Sequence, residues 1–387
     1  MKLRRCAVLY LEPREQLEID WSALFAGTST LAASLSWQAL APHLDQEIEI
    51  DSTQLLALGG ISQTVWSEYA DCAQRWGADV IDALLAQGLL LSDAPQHAAP
   101  RARDDTLRAL HWRPLSALAH TFSRWHDVRA DTGMSAPTFQ QLLDRYGPPP
   151  PPTAQPSGCG AALALPAVAP GALDGPLLQR YTGRNFDRSA SLPLALVARL
   201  LQRSFGAQEQ RTIGPHAHVL KKTSPSGGSL HPIDAYVLVQ RVEGVAPGLY
   251  HYHPLQHTLQ PLRLLDADAA AALALHMMAD QHWLADAPLQ VVLVARMARS
   301  YWKYRNHHKA YKVLALDAGH LSQTFYLLAA EAGLPAFITA AVNDAVVEQA
   351  LELDHLQHAV MAVCGCGVAA SGARSMVELR YGETGAI

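Results

Sequence analysis

The apolar run AVLYL at residues 7–11 reads as a short strand, and EIEID at residues 47–51 alternates apolar and polar positions with the period of two expected of a half-buried strand. A helical stretch comes next. Leu55, Leu56 and Leu58 lead into a Gly59-Gly60 turn, after which Ser62 is placed to cap a helix running to Arg75. In ADVIDALLAQGLLL, Val80, Ile81, Leu84 and Leu85 share one helical face, Gly88 supplies the stop, and residues 89–91 begin a strand. Five consecutive prolines at residues 148–152, with Thr153, Pro156, Ser157 and Gly158 after them, exclude helix and central strand and favour an extended spacer or surface loop. Beyond it the pattern becomes a regular mixture: helices at residues 192–205 and 317–333, strands at 235–242, 289–295 and 359–363. Buried strands alternating with helices mark this as the half that carries chemistry.

The 387 residues, 49% hydrophobic and 17% charged, suit two or three globular domains rather than a disordered chain. The pattern divides them into a winged-helix-like domain at 1–100, a helical and Pro-rich linker at 101–175, and a catalytic domain at 176–387. The fold class is α+β, a mixed sheet flanked by helices and preceded by the small winged-helix-like domain. With 30 basic against 35 acidic residues the formal charge is -5, which speaks against a nucleic-acid partner. The longest apolar stretch, 325–342, is interrupted by Glu331 and Pro335, so no membrane span is expected. The basic start is succeeded by too few apolar residues for a secretory signal, and five sparse cysteines point to a reducing cytoplasm.

Three segments could carry chemistry. Arg180, Thr182 and Arg184 in QRYTGRNFD place two guanidiniums and a hydroxyl together, a donor set suited to a phosphate; solvated surface arginines are the plainer reading. KTSPSGGSLHP, with Pro225, Ser226, Gly227 and Gly228, can offer backbone N–H groups to an anion or a planar ring, though an ordinary turn would look the same; it lacks both the Walker A and the GxGxxG patterns. Trp302-Lys303-Tyr304 lies in a basic, aromatic stretch, otherwise a solvated face, where Arg299, Arg305 and Lys309 would favour a deprotonated lysine or tyrosine. The eighteen histidines lack metal-site spacing, so no metal is expected, and Cys364-Gly365-Cys366 reads as small buried strand residues more readily than as an electron relay.

In order along the chain, these segments resemble the FMN-dependent nitroreductase superfamily. Its RRSxRxF opening appears as Arg180-Tyr181-Thr182-Gly183-Arg184-Asn185-Phe186. PSGG, PGLYHYHPLQHTL at 247–259, RSYWKYRNHHKAYK at 299–312 and LDAGHLSQTFYLLAAEAGL at 316–334 resemble its SagB-type dehydrogenase branch, over residues 176–378 in all. The resemblance implies a nitroreductase-like sheet, a homodimer, and FMN held by Arg180, Thr182, Arg184 and Arg374, with Pro225, Ser226, Gly227 and Gly228 coming from the partner copy. Tyr181 stands where the opening commonly has a second basic residue. Lys303-Tyr304 resembles the Leu-Lys-Tyr motif of azoline dehydrogenases, with Trp302 in place of leucine, and implies a base for aromatising thiazoline or oxazoline rings in a ribosomally made peptide. Residues 45–93 resemble PqqD-like domains, which bind a peptide leader at a sheet edge. A purely structural or dimerising role, or a DNA-binding winged helix, shares the pattern, but the segment from Ser62 to Arg75 offers one basic residue, Arg75, for DNA. The implied partners are a precursor peptide, leader and core, and companion maturation enzymes such as a cyclodehydratase. A flavin reductase of dehydroamino acids and a non-catalytic leader-binding scaffold are the alternatives.

Overall fold

The computed structural model describes residues 1–19, 21–27, 31–129, 139–153, 158, 160, 162–215, 217–372 and 376–382. Among the described residues the first half contains six strands: β1 (Lys2–Arg5), β2 (Tyr10–Ile19), β3 (Leu31–Leu40), β4 (Glu47–Ile50), β5 (Ser67–Glu68) and β6 (Leu90–Ser92). They form two antiparallel sheets, ordered β5-β1-β6 and β2-β3-β4. The helices Ser52–Gly60, Tyr69–Trp76 and Ala78–Ala86 pack with the first sheet over a core that includes Leu3, Leu58, Ile81, Leu84 and Leu90.

Three expectations shift here. The strand expected at residues 7–11 forms only from Tyr10, as the start of β2, and β1 ends before it; the Ala7 N–H donates to the buried Asp104 carboxylate (2.6 Å) rather than to a neighbouring strand. The strand at 47–51 forms as β4 but pairs with β3, so β1, not β4, lies beside β6. Ser62 caps no helix: its hydroxyl accepts from Thr64 and Val65 N–H (3.1 and 3.0 Å), closing a local turn, and the helix begins at Tyr69. The cap stands earlier. Asp51 accepts from Thr53 and Gln54 N–H (2.7 and 2.8 Å) while Gln54 Oε1 accepts the Asp51 N–H (3.0 Å), a capping box for Ser52–Gly60.

In the second half a hairpin, β7 (Glu209–Gly214) and β8 (Ala217–Lys221), precedes a six-stranded sheet. Its strands are β9 (Ile233–Val239), β10 (Gly248–His253), β11 (Thr258–Leu264), β12 (Leu289–Arg296), β13 (Ala336–Thr339) and β14 (His358–Cys366), in spatial order β11-β10-β9-β12-β14-β13. The ladders are antiparallel, and a parallel bridge joins Thr182 to Ala336 at the β13 edge. Strand β12 is apolar almost throughout because both its faces are covered. Leu289, Val291, Leu293 and Ala295 share a core with Leu314, Leu321 and Phe325 of the helix Ala310–Glu331, while Val292 and Val294 pack with Ala270, Ala274 and Met277 of the helix Ala267–Met277. The helix expected from residue 317 starts about two turns earlier, since Ala310 and Leu314 continue the buried stripe through Lys309, Lys312 and their polar neighbours. Among the described residues no helix is long and apolar enough to cross a membrane.

The two halves meet through buried polar groups on the helix Pro114–Phe122 and just beyond it. Arg124 donates to both carboxylate oxygens of Glu348 and to Asp45. His120, 3% exposed, pairs its Nε2 with the His355 carbonyl (3.0 Å), so that nitrogen carries the proton and Nδ1 accepts from the Tyr311 hydroxyl (3.1 Å). Burial holds the His120 pKa down at about 4. The folded value lies below the ordinary one, so stability is complete above about pH 6.5 and is lost as pH falls towards 4, by roughly 1.4 kcal/mol per pH unit. Urea titrations across this window should show that decline, less steep in His120→Gln; identical slopes in the two proteins would contradict it.

Candidate active site

The PSGG segment is laced to one face of the helix Ala310–Glu331. Ser226 Oγ donates to Asp317 Oδ2 (2.5 Å), the Gly227 N–H donates to Oδ1 (3.1 Å), and the His231 N–H donates back to Ser226 Oγ (2.9 Å). Asp317 is buried, so its carboxylate exists in that place to receive these donors. Further along, Ser224 Oγ meets Thr324 Oγ1 at 2.7 Å. Pro225 borders a small cavity with Lys222, Ser226, His231, Ile233 and Asp317. Lys222 is buried, and burial, reinforced by Arg296 and opposed by Asp234, brings its pKa down to about 8.

The glycines bring two distant motifs together. A Cβ on Gly227 would collide with Val313 Cγ1. At Gly228, φ +64° disfavours any other residue, and a Cβ would fall 2.6 Å from Tyr304 Oη and 2.8 Å from Lys303 Nζ, pushing those side chains aside. The PSGG loop therefore packs against Lys303 and Tyr304 within one chain, and Lys303 Nζ lies 5.5 Å from the centre of the Tyr304 ring. These residues stand between the helices Met297–Tyr301 and Ala310–Glu331. A cavity of about 510 Å³ opens beside them, walled by Gly228, Arg299, Trp302, Lys303 and by Ile213 and Val219 of the β7–β8 hairpin. Arg299 is fixed by donating Nε to the Leu230 carbonyl (2.9 Å).

Arg180 and Thr182 lie elsewhere. The Thr182 hydroxyl meets the Tyr326 hydroxyl (3.1 Å), which also accepts the Ile338 N–H (3.2 Å), and the Arg180 guanidinium sits over the Tyr326 ring at 5.6 Å. Tyr326 is nine residues beyond Asp317 on the same helix, hence roughly half a turn round and about 13 Å along it. The arginine opening and the PSGG loop thus line opposite faces of one helix. Arg184 turns to the end of the chain, its N–H donating to Glu378 (2.6 Å) and its Nη1 to the Val377 carbonyl (3.2 Å). Arg380, also paired with Glu378, lies 4.2 Å over the Tyr181 ring, in the vicinity where the opening lacks its second basic residue. Arg374 lies outside the described residues. Cys364 and Cys366 are fully buried on β14, and burial pushes both thiols up, Cys366 to about 12. Sequence reading missed Tyr326, the loop-holding role of Asp317 and the buried Lys222. Only Asp317 left a signal, as a carboxylate on an apolar helix.

This arrangement of sheet, arginine opening and glycine loop defines a class. Residues 177–368 match the family model described as the nitroreductase family. That stretch is a nitroreductase-family domain, the mark of an oxidoreductase, in a family that typically binds flavin. Among curated proteins, the chain is 28% identical over 191 residues to the nitroreductase-like protein MJ1384 of Methanocaldococcus jannaschii, covering 49% of this chain and 89% of that one. It is 28% identical to the trifolitoxin-processing protein TfxB of Rhizobium leguminosarum bv. trifolii, over 47% of this chain and 52% of TfxB, and 24% identical to the microcin B17-processing protein McbC of Escherichia coli, over 45% and 61%. The aligned part therefore spans less than two thirds of either processing protein. In fold, a chain of the E. coli microcin synthetase McbBCD complex with truncated pro-MccB17 bound matches with a TM-score of 0.51 at 19% identity, over 68% of this chain and 97% of that chain. These likenesses support the SagB-type branch of the family.

Proposed function

We propose that the protein is an FMN-dependent dehydrogenase that oxidises azoline rings to azoles in a ribosomally made peptide. The observation that carries this reading is the packing of Gly228, at φ +64°, against Lys303 and Tyr304, which supports a proton-transfer role for that pair beside an exposed glycine backbone. The donor set fits a flavin: guanidiniums for a phosphate, exposed glycine backbone for a planar ring, and aromatic walls. In this reading FMN is held by Arg180, Thr182, Arg184 and Arg374 of one copy and by Pro225, Ser226, Gly227 and Gly228 of a second. The placement of Arg180 and Ser226 on opposite sides of one helix favours such a shared site, since a single ligand does not reach both sides within one chain.

FMN, when bound, supplies the hydride acceptor. The protein supplies the rest. Lys303 or Tyr304 takes the proton from the ring carbon adjacent to the one that gives up hydride. Trp302 and the β7–β8 hairpin wall the cavity that would take the peptide, and Arg299 keeps its mouth basic. Residues 1–100 would hold the leader, for which the β5-β1-β6 sheet offers an edge, and a cyclodehydratase would deliver the azoline. Denaturing the purified protein should release about one FMN per chain from a dimer, and Arg180→Ala should lower that occupancy; a flavin-free protein, or a monomer that keeps its full flavin, would overturn the reading.

A further inference from the structure

Residues that precede the family-matched stretch contact the segment that carries Lys303 and Tyr304 on both of its flanks. Trp112 is 5% exposed, and its ring meets the Tyr301 ring edge-on at 5.0 Å, lies 6.2 Å from Tyr311 and stacks on His120 at 5.4 Å. Its Nε1 donates to the Leu356 carbonyl (2.9 Å), and His120 in turn accepts the Tyr311 hydroxyl. Next to it, the Asn306 N–H donates to the His111 carbonyl (2.8 Å), both residues standing in the left-handed region at φ 50° and 56°. Contacts from residues 111–120 therefore grip residues 301, 306 and 311, on either side of Lys303-Tyr304. Trp112 is itself anchored to the first sheet: it lies just past the helix Ala98–Ala109, whose Asp105 accepts from Arg4 Nη2 of β1 (2.6 Å) and whose Asp104 receives the Ala7 N–H (2.6 Å).

We propose that Trp112 and His120 are positioning residues of the active site: the first half of the chain clamps residues 301–311 and so fixes Lys303 and Tyr304 against the PSGG loop. This rests on the assignment of Lys303 and Tyr304 to the chemistry. Packing holds the Tyr301 side chain, because among the described residues its buried hydroxyl has no hydrogen-bond partner. Removing the Trp112 ring deletes the apolar wall and lets that hydroxyl regain water, and both changes act to release the segment.

Hydrogen–deuterium exchange on the full-length purified protein tests the clamp. In Trp112→Ala, amides of residues 301–309 should exchange at least about tenfold faster, while β12 and β14 keep their protection and FMN content is unchanged. Trp112→Phe, which preserves the aromatic contacts, should return to within about threefold of the parent. Tyr311→Phe removes only the hydroxyl bound to His120 and should accelerate the same amides by about threefold or more, so the proposal stays testable if Trp112→Ala does not fold. Parental exchange at 301–309 in either folded Trp112→Ala or Tyr311→Phe would overturn the clamp. Loss of FMN from the parent protein would instead strike the dehydrogenase reading, and the exchange pattern would still decide the clamp.

Discussion

Replacing Lys303 by Ala and Tyr304 by Phe together is expected to stop peptide oxidation while FMN stays bound. A positioned acid or base typically contributes about 10²–10⁴-fold in rate, so the double variant should fall by at least that lower figure. Both side chains touch Gly228 from outside the loop, whereas the loop's shape is set by Asp317, so flavin content should hold. The single variants assign the base: the one that loses most activity at every pH is the proton acceptor, and the other shapes the site. Turnover of the precursor peptide, tracked by mass, reads this out. Unchanged output from the double variant would favour the scaffold alternative, in which the first half recruits a leader and the second half does no chemistry.

The largest stability effect is expected at Arg124. Its side chain is 3% exposed, against 8% for Glu348 and 29% for Asp45, and it is the cation between these two carboxylates. Arg124→Ala leaves both acids facing each other in a largely dry junction, and such a broken buried pair costs about 3–5 kcal/mol. Arg188→Ala is the contrast. It removes a pair to Asp286 from an arginine that is 71% exposed, and the change should stay within about 1 kcal/mol. Urea unfolding of the two variants checks the ranking; equal, small losses would mean that the Arg124 cluster is solvated and does not join the halves.

Elements were legible in the sequence where their physical signal is local. Strands β12 and β14 stood out because a strand covered on both faces has to be an unbroken apolar run, and the helix Leu194–Ser204 because its buried stripe repeats at helical spacing. The cap at Asp51 and the false one at Ser62 differ only in their downstream neighbours: Gln54 can complete a capping box, whereas Ser62 commits its hydroxyl to its own turn. The motif order made the arginine opening, PSGG and Lys303-Tyr304 visible as candidates. Their mutual placement was not legible. That PSGG and Lys303-Tyr304 touch, while Arg180 and Thr182 lie across a helix from them, depends on the facing of Val313, Asp317 and Tyr326, which no single segment encodes. The Trp112 contact was hidden for the same reason, being a tertiary contact to Tyr301, at the end of a short helix far along the chain.

The central claim is tested most directly by mass spectrometry of an azoline-bearing precursor peptide after incubation with the purified, flavin-loaded protein. The account predicts that each modified ring loses two hydrogens and that the Lys303→Ala, Tyr304→Phe double variant leaves the peptide unchanged. A peptide that instead gains two hydrogens at dehydroalanine or dehydrobutyrine residues, with its azolines untouched, would contradict it and identify a reductase.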